Sequence, residues 1–345
     1  MRKRVRCAAW LFATGALSMS AGCGDDDDGE VTADAGAGGF DAGHPPDSGA
    51  GLDASTLADT GVDGGDAAAA LQAVTLRFAA KVGSRDFACG ETYAAQGSTK
   101  VTATPTDFRF YVQNVRLLTT NGQEVPVELD ERAPWQTQDV ALIDFTTTSG
   151  QCSAGNPGTN MIITGHVPAG TYRGIAFVNG VPESINHQDF STAKPPLDDP
   201  TTSWNWMLGY RFLLAEIAQV AEAAAMDGGV VSLLDAGPAD ATTADGGAPA
   251  LGQGILHIGS TACTGTPASG FTCSKPNRNE IRLSSFDPSA NVIVADLAAV
   301  FANTDLSQVA DCHSSGDACP PMFSAVGIDF ATGNALTTQQ LFHVE

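Results

Sequence analysis

Basic residues are scarce in this sequence. It has 17 Lys and Arg against 39 Asp and Glu in 345 residues, and its formal net charge is −22. Between Gly24 and Ala70 there are eleven Asp, one Glu and no Lys or Arg. Nucleic-acid binding depends on clustered Lys and Arg that neutralise phosphates. The composition therefore argues against a nucleic acid as partner.

Motifs that mark common catalytic sites are also missing. The sequence has no G-x-S-x-G nucleophile elbow, no glycine-rich phosphate loop and no obvious Cys–His nucleophile. It contains neither C-x-x-C nor H-E-x-x-H nor H-x-H. Carboxylate pairs stay open as an alternative, but nothing picks out one pair. We expect that the protein is not an enzyme.

Apolar runs long enough to cross a membrane are absent after the N-terminus. A basic cluster at Met1–Arg6 precedes the apolar run Ala8–Ala21, which is typical of a signal peptide over residues 1–23. The residues Ser20-Ala21-Gly22-Cys23 fit a lipoprotein cleavage site, so we predict that Cys23 is acylated; plain secretion is the alternative. The protein is then expected in the periplasm or at the cell surface, held to the membrane of the cell envelope by its lipid.

Two segments have too few apolar residues to form a core. Residues 24–72 are nearly all Asp, Gly, Ala, Ser and Thr, and residues 226–250 repeat that composition. Such segments cannot bury enough apolar surface to offset the chain entropy lost on folding. We predict a disordered acidic linker at 24–72 and one folded domain at 73–345, interrupted by a disordered insertion at 226–250.

Apolar and polar residues alternate with period two in much of the remaining sequence. The alternation is clear in three segments, 73–79, 108–117 and 124–129, and predicts half-buried strands. Further strand candidates are 139–145, 159–167, 171–179, 205–216, 254–259, 279–285 and 291–296. The Ala, Leu and Glu content of 212–225 favours a helix instead, although its first half could continue a strand. The fold class is predicted to be all-β, a disulfide-stapled β-sandwich-like domain with few short helices.

Six cysteines lie in the predicted domain, an even number that suits an oxidising compartment. Short spacings favour Cys263–Cys273 and Cys312–Cys319, which leaves Cys89–Cys152 as a longer bridge. Sequence alone allows other pairings, and a zinc cluster is the competing interpretation, although no C-x-x-C supports it. Each short loop closed by a disulfide would add roughly 2–3 kcal/mol to the free energy of unfolding.

Histidine and tryptophan are the remaining candidates for metal or ligand binding. His187 lies in a turn-rich segment, and His257 lies in a predicted strand. Trp204 and Trp206 would project from the same face of a strand. Taken alone, a single histidine is more often structural than a ligand, and paired tryptophans more often pack in a core or form a stacking platform.

Several segments, in this order, resemble the MbnP-like copper-binding family, also called the metallo-mystery pair four-Cys proteins. The resemblance runs from about Val74 to Phe342. It rests on these residues: Cys89-Gly90, Tyr93, Gly97, Asp107–Val112, Trp135-Gln136, Leu142–Phe145, Cys152, Asn160, Gly180-Val-Pro, Asn186-His187, Trp204-x-Trp206, Gly209-Tyr210, His257-x-Gly-Ser-Thr-x-Cys263 and Cys273.

The resemblance implies a copper protein whose partner is a di-haem, MauG-like peroxidase (MbnH-like). Such a peroxidase would oxidise a tryptophan of its client to kynurenine. Carried over to this sequence, the metal site would comprise His187 and His257 together with Trp204 or Trp206. Imidazole nitrogens suit copper, which stands at the top of the divalent affinity order.

This sequence departs from the family pattern at Ser203 and in the long acidic insertion, and neither change touches the expected ligands. His313, next to the additional pair Cys312 and Cys319, is expected to be exposed. The alternative function is a metal-free cell-surface module whose tryptophans bind a glycan or a protein partner.

Overall fold

The computed structural model describes residues 70–345 except 153–154, 156, 206 and 222–250. The predicted signal peptide, Cys23, the linker up to residue 69, the insertion 226–250 and Trp206 lie outside the described residues. No helix within the described part of the chain is long and apolar enough to cross a membrane.

The described residues are mainly strands, as predicted. In chain order the strands are β1 (Leu71–Val82), β2 (Arg85–Asp86), β3 (Tyr93–Gln96), β4 (Val101–Thr119), β5 (Glu124–Pro126), β6 (Glu128–Leu129), β7 (Val140–Asp144), β8 (Ile162–Pro168), β9 (Tyr172–Asn179), β10 (Ser203–Asn205), β11 (Gly209–Tyr210), β12 (Leu213–Gln219), β13 (Gln253–Ile258), β14 (Thr261–Thr266), β15 (Gly270–Lys275), β16 (Asn279–Leu283), β17 (Ile293–Asp296), β18 (Val309–Cys312) and β19 (Phe342–Val344). The helices are short: α1 (Leu297–Phe301), α2 (Cys319–Ala325) and two 3₁₀ turns, Glu183–Ile185 and Pro200–Thr202.

Two large sheets contain most of these strands. The smaller has the order β19-β17-β1-β8-β6, with β2 also paired to β1. The larger has the order β16-β9-β4-β12-β13-β18, and β3, β5 and β7 also pair with β4. Most pairings are antiparallel, whereas β1–β17 and β13–β18 are parallel. Strand β4 is therefore the organising element of the larger sheet.

The two sheets pack face to face through phenylalanine rings. Phe78 of β1 lies 6.0 Å from both Phe110 of β4 and Phe177 of β9, measured between ring centroids. Phe342 of β19 lies 5.1 Å from Phe110 and 5.3 Å from Phe177. These edge-to-face contacts form the apolar centre of a β-sandwich-like domain, which confirms the predicted fold class.

The opposite face of the larger sheet is buried as well. Side chains alternate along β4, so Asp107, Arg109 and Tyr111 point away from the phenylalanine core. All three are nonetheless buried, and Arg109 is fully so. Residues 196–202 cover Arg109 and Tyr111: the Tyr111 hydroxyl, for example, donates to the Pro196 carbonyl at 2.8 Å. The alternation predicted half-buried strands, but β4 is buried on both faces.

Of the two interpretations left open for 212–225, the strand is confirmed for the first half and the helix is wrong there. Residues Leu213–Gln219 form β12, which pairs with β4 on one side and β13 on the other. Leu213 and Ala215 stand opposite Phe110 and Phe108, on the face that forms the core. Two neighbouring strands and a buried face outweigh a helix propensity that amounts to tenths of a kcal/mol per residue. Residues 222–225 lie outside the described residues.

Three disulfides join the cysteines of the domain: Cys89–Cys152, Cys263–Cys273 and Cys312–Cys319. These are the pairs that the spacing favoured. Cys263 and Cys273 stand opposite each other in the hairpin β14–β15, which the sequence pattern did not predict. The pair at Cys312 joins the end of β18 to the start of α2.

Candidate metal site

The hairpin β10–β11 presents Trp204 at the surface of the covered face. Asp199 Oδ1 accepts from the Thr201 amide at 2.8 Å and so begins the 3₁₀ turn that leads into β10. The Asn205 side chain accepts from the amides of Met207 and Leu208, both at 2.9 Å, and closes the turn of the hairpin. Trp204 is half-buried. Local hydrogen bonds thus define the backbone on both sides of Trp204.

A buried guanidinium ties this hairpin to the sheet. Arg109 forms two hydrogen bonds with the Asp107 carboxylate, from Nε at 2.7 Å and from Nη2 at 2.5 Å. Its Nη1 reaches the Asp199 carboxylate at 3.3 Å and the Thr201 hydroxyl at 2.8 Å. Asp144, opposite Arg109 on β7, has its pKa raised to about 6 by burial. The position of Trp204 therefore depends on charges buried beneath it.

His257, one of the predicted ligands, projects from β13 on this same covered face. It is only 5% exposed, and its Nε2 lies 2.6 Å from Glu216 Oε1. An ionised carboxylate only accepts hydrogen bonds, so Nε2 carries the proton. Burial raises the pKa of Glu216, but the hydrogen bonds that its carboxylate accepts from His257 and from the Thr106 hydroxyl outweigh burial, and the net pKa is lowered. The other ring nitrogen, Nδ1, is buried and has no hydrogen-bond partner among the described residues.

His313 lies directly against His257, a contact that no sequence motif predicted. The two ring centroids are 4.5 Å apart, and the rings meet edge to face at 68°. His313 Nδ1 is 2.7 Å from Asp311 Oδ1, and the side chain is 42% exposed. Burial lowers the pKa of His313. The parallel pairing of β13 with β18 creates this contact.

His187, the other predicted histidine, follows the 3₁₀ turn Glu183–Ile185. Its ring stacks on Phe271 at 4.3 Å, and its Nε2 lies 3.3 Å from Cys273 Sγ. The neighbouring Asn186 accepts from the Tyr210 amide at 3.1 Å, which joins this loop to the hairpin β10–β11. The ligand atoms of His187, Cys263 and Cys273 lie within 4.8 Å of one another. Because the two sulfurs form a disulfide, they cannot act as thiolate ligands.

An open groove of about 330 Å³ lies beside Trp204 and His313. Its lining is formed by Trp204, Met207, Leu208, Ser260, Thr261, Ala262, Cys263, His313 and Ser315. Neither predicted histidine lines the groove itself. His257 contacts the groove residue His313, and His187 contacts Cys273, the disulfide partner of the groove residue Cys263; Trp204 also lines the groove. Trp206, the second predicted tryptophan, lies outside the described residues.

Gly259 allows Trp204 to approach β13 closely. A Cβ on Gly259 would overlap both the Trp204 ring and the Tyr210 carbonyl. The Arg211 guanidinium lies 5.9 Å from the Trp204 ring, measured to the ring centroid. The glycine of the His257-x-Gly-Ser-Thr segment thus has a steric role at the groove.

The donor atoms around the groove fit copper. Imidazole nitrogen suits copper as it suits zinc, iron and nickel, and a thioether such as that of the exposed Met207 suits Cu(I). The buried Nδ1 of His257 lacks a partner while Nε2 is held by a carboxylate. Metal-bound histidines show the same arrangement, in which a carboxylate fixes the ring and leaves the second nitrogen for the ion.

Comparison with known proteins gives two matches. The family model described as MbnP matches residues 71–314. The solved structure of MbnP from Methylosinus trichosporium is similar, with a TM-score of 0.66 and 28% sequence identity over 80% of this chain and 98% of that chain. No curated protein matches the sequence. Since the family model spans well over half of the residues, this chain belongs to the MbnP family.

Proposed function

We propose that this protein binds copper in the Trp204 groove, through the imidazoles of His187 and His257 and a tryptophan modified to kynurenine. A partner di-haem, MauG-like peroxidase would carry out the modification. The protein itself acts as a binding protein rather than an enzyme. It resides in the periplasm or at the cell surface, anchored to the membrane by a lipid on Cys23.

The observation that carries the proposal is the nitrogen Nδ1 of His257. A buried polar atom without a partner is costly, and in a native protein it calls for an explanation such as a bound ion or water. Glu216 fixes the His257 ring through Nε2 at 2.6 Å and so directs the lone pair of Nδ1. A copper ion would satisfy this nitrogen. Family membership supports the same interpretation.

Maturation would change the ligand set at the groove. Cleavage of the indole C2–C3 bond is a four-electron oxidation that uses two equivalents of hydrogen peroxide, inserts two oxygen atoms and releases two waters. Hydrolysis of the resulting formyl group then releases formate and leaves the aromatic amine of kynurenine. Trp204 borders the groove and is half-buried, so an amine at this ring would be close to the histidines.

The test removes both predicted histidines from matured protein. In the double variant His187→Ala and His257→Ala we expect high-affinity copper binding to be lost, as measured by competition with a chromophoric chelator. The control is His166→Ala, because His166 also lies beside a carboxylate, Asp130, at 3.1 Å, on a different sheet. Unchanged copper stoichiometry in the double variant would contradict the proposal.

A second function is favoured by one observation, the exposed apolar tip of the hairpin. Met207 and Leu208 are 55% and 50% exposed beside Trp204. Exposed apolar side chains next to an aromatic ring suit a metal-free surface module that binds a glycan or a protein partner. Unmodified tryptophans in protein that does not bind added copper would favour this second function.

A further inference from the structure

We propose that His313 is a copper ligand together with His257, and that Asp311 and Glu216 orient the two rings. This inference rests on the proposed function and adds a residue to its metal site. The residue motifs around His187 and His257 do not include His313. Four observations in the described residues support it: the placement of the two histidines, their ring nitrogens, the distance between their rings, and the surrounding charges.

The backbone places His313 beside His257 with little freedom. In the parallel pair β13–β18, Leu256 stands opposite Cys312, so the two histidines follow as neighbours. Cys312 is fully buried and bonded to Cys319. On the other side, the Ser314 hydroxyl donates to the His257 carbonyl at 3.0 Å and accepts from the Gly259 amide at 3.0 Å. His313 is therefore fixed between a disulfide and a hydrogen-bonded serine.

Each of the two histidines has one ring nitrogen hydrogen-bonded to a carboxylate. Glu216 holds Nε2 of His257 at 2.6 Å, and Asp311 holds Nδ1 of His313 at 2.7 Å. A carboxylate accepts, so each of these nitrogens donates, and the second nitrogen of each ring keeps a free lone pair. These nitrogens are Nδ1 of His257, which has no partner among the described residues, and Nε2 of His313. Two carboxylate-oriented imidazoles side by side form a typical donor pair for a metal.

The distance between the rings fits two ligands of one ion. A metal about 2 Å from an imidazole nitrogen lies roughly 3 Å from the ring centroid, so two imidazoles on one ion have centroids roughly 4.5–5 Å apart. The observed separation is 4.5 Å. Simple ring packing would explain the distance but would leave Nδ1 of His257 buried without a partner. Coordination explains both.

The local charge also favours a cation. Glu216 and Asp311 each bring a carboxylate to the histidine pair. The Arg211 guanidinium, 5.9 Å from the Trp204 ring centroid, and the buried Arg109 oppose them, while Asp107 adds a further carboxylate nearby. His313 opens into the same groove as Trp204 and Met207. A copper ion entering from the groove would meet His313 first and the buried His257 beneath it.

The experiment compares single variants by copper competition titration and by EPR of the Cu(II) form. His313→Ala should lower copper affinity by about 100-fold or more and remove one nitrogen coupling from the EPR spectrum. Asp311→Asn, which keeps the ligand but weakens its orientation, should lower affinity by about 10- to 100-fold. His166→Ala should leave affinity and spectrum unchanged. Circular dichroism and intact mass, which reports the Cys312–Cys319 bond, control for folding.

The outcomes separate this inference from the proposed function. If His257→Ala weakens copper binding while folded His313→Ala keeps the affinity and nitrogen couplings of the parent, the ligand assignment of His313 is wrong and the copper function stands. If the parent protein binds no copper at all, the proposed function fails first. Loss of a nitrogen coupling in His313→Ala alongside lower affinity supports the assignment.

Discussion

The two faces of the nine-stranded sheet are both buried, but they are built from different chemistry. The inner face is apolar, with Phe108, Phe110 and Phe177 packed against the second sheet. The outer face carries Arg109 and His257, which are 0% and 5% exposed, beneath the segment that presents Trp204. Burying charge is costly unless the charge is paired and hydrogen-bonded. The inner face therefore serves stability, and we infer that the outer face positions the groove.

Removing the charge at Arg109 should produce the largest effect and damage both stability and site. In Arg109→Met, Asp107 loses its partner in a buried position, and the turn at Asp199 loses its tie to β4. Loss of one member of a buried ion pair costs about 3–5 kcal/mol in unfolding free energy. Chemical denaturation should show this loss, and the folded fraction should bind copper more weakly. Retained copper affinity would show that the outer face does not position the groove.

Truncation of a side chain on the inner face should lower the free energy of unfolding by a similar amount and leave copper binding unchanged. Phe110→Ala removes a ring that contacts Phe78 and Phe342, which should lower the free energy of unfolding by about 3–5 kcal/mol. At a temperature where the variant is folded, its copper affinity should match the parent. A loss of copper affinity as large as that of Arg109→Met would contradict the division of roles between the two faces.

Asp144 should give the outer face a pH dependence that the inner face lacks. Because its pKa is raised to about 6 by burial, the folded state binds the proton more tightly than the unfolded state. The free energy of unfolding should therefore fall as pH rises from about 4 to 6, by roughly 3 kcal/mol for this group. Asp144→Asn should remove this slope in denaturation curves recorded across that range. A slope unchanged by the variant would assign the pH dependence to other groups.

A methyl group at Gly259 should produce the smallest effect and act on Trp204. Gly259→Ala would overlap the indole ring, and overpacking costs about 1–3 kcal/mol. We expect lower copper affinity together with altered tryptophan fluorescence. Gly170→Ala is the matched control, since the nearest atom to its new Cβ would be 3.6 Å away. Equal effects of the two variants would mean that Gly259 has no particular role at the groove.

The sequence pattern predicted the sheets better than the groove. Period-two alternation identified β1, β4 and the segment of β5 and β6, the further strand candidates matched β7, β8 and β9, and cysteine spacing favoured the three disulfides that the structure contains. Alternation indicates only that one face of a strand is buried, so it could not show that residues 196–202 cover the polar side of β4. Helix propensity misled at 213–219 because pairing with two neighbouring strands is a tertiary effect.

The contact between His257 and His313 needed information that local sequence does not contain. It depends on the parallel pairing of β13 with β18, two strands separated by the polar hairpin β14–β15 and by α1. Parallel neighbours are distant in sequence, and no spacing rule joins their residues. His313 was expected to be exposed, and its side chain is 42% exposed, yet its ring packs on His257. Exposure alone therefore did not reveal its contact.

The most direct test of the copper assignment is intact mass and metal analysis of the protein purified from its native host, with peptide mapping over residues 203–210. We expect bound copper and a mass gain of about 4 Da on Trp204 or Trp206, because kynurenine has one carbon fewer and one oxygen more than tryptophan. Unmodified tryptophans in metal-free protein that also fails to bind added copper would contradict the copper assignment.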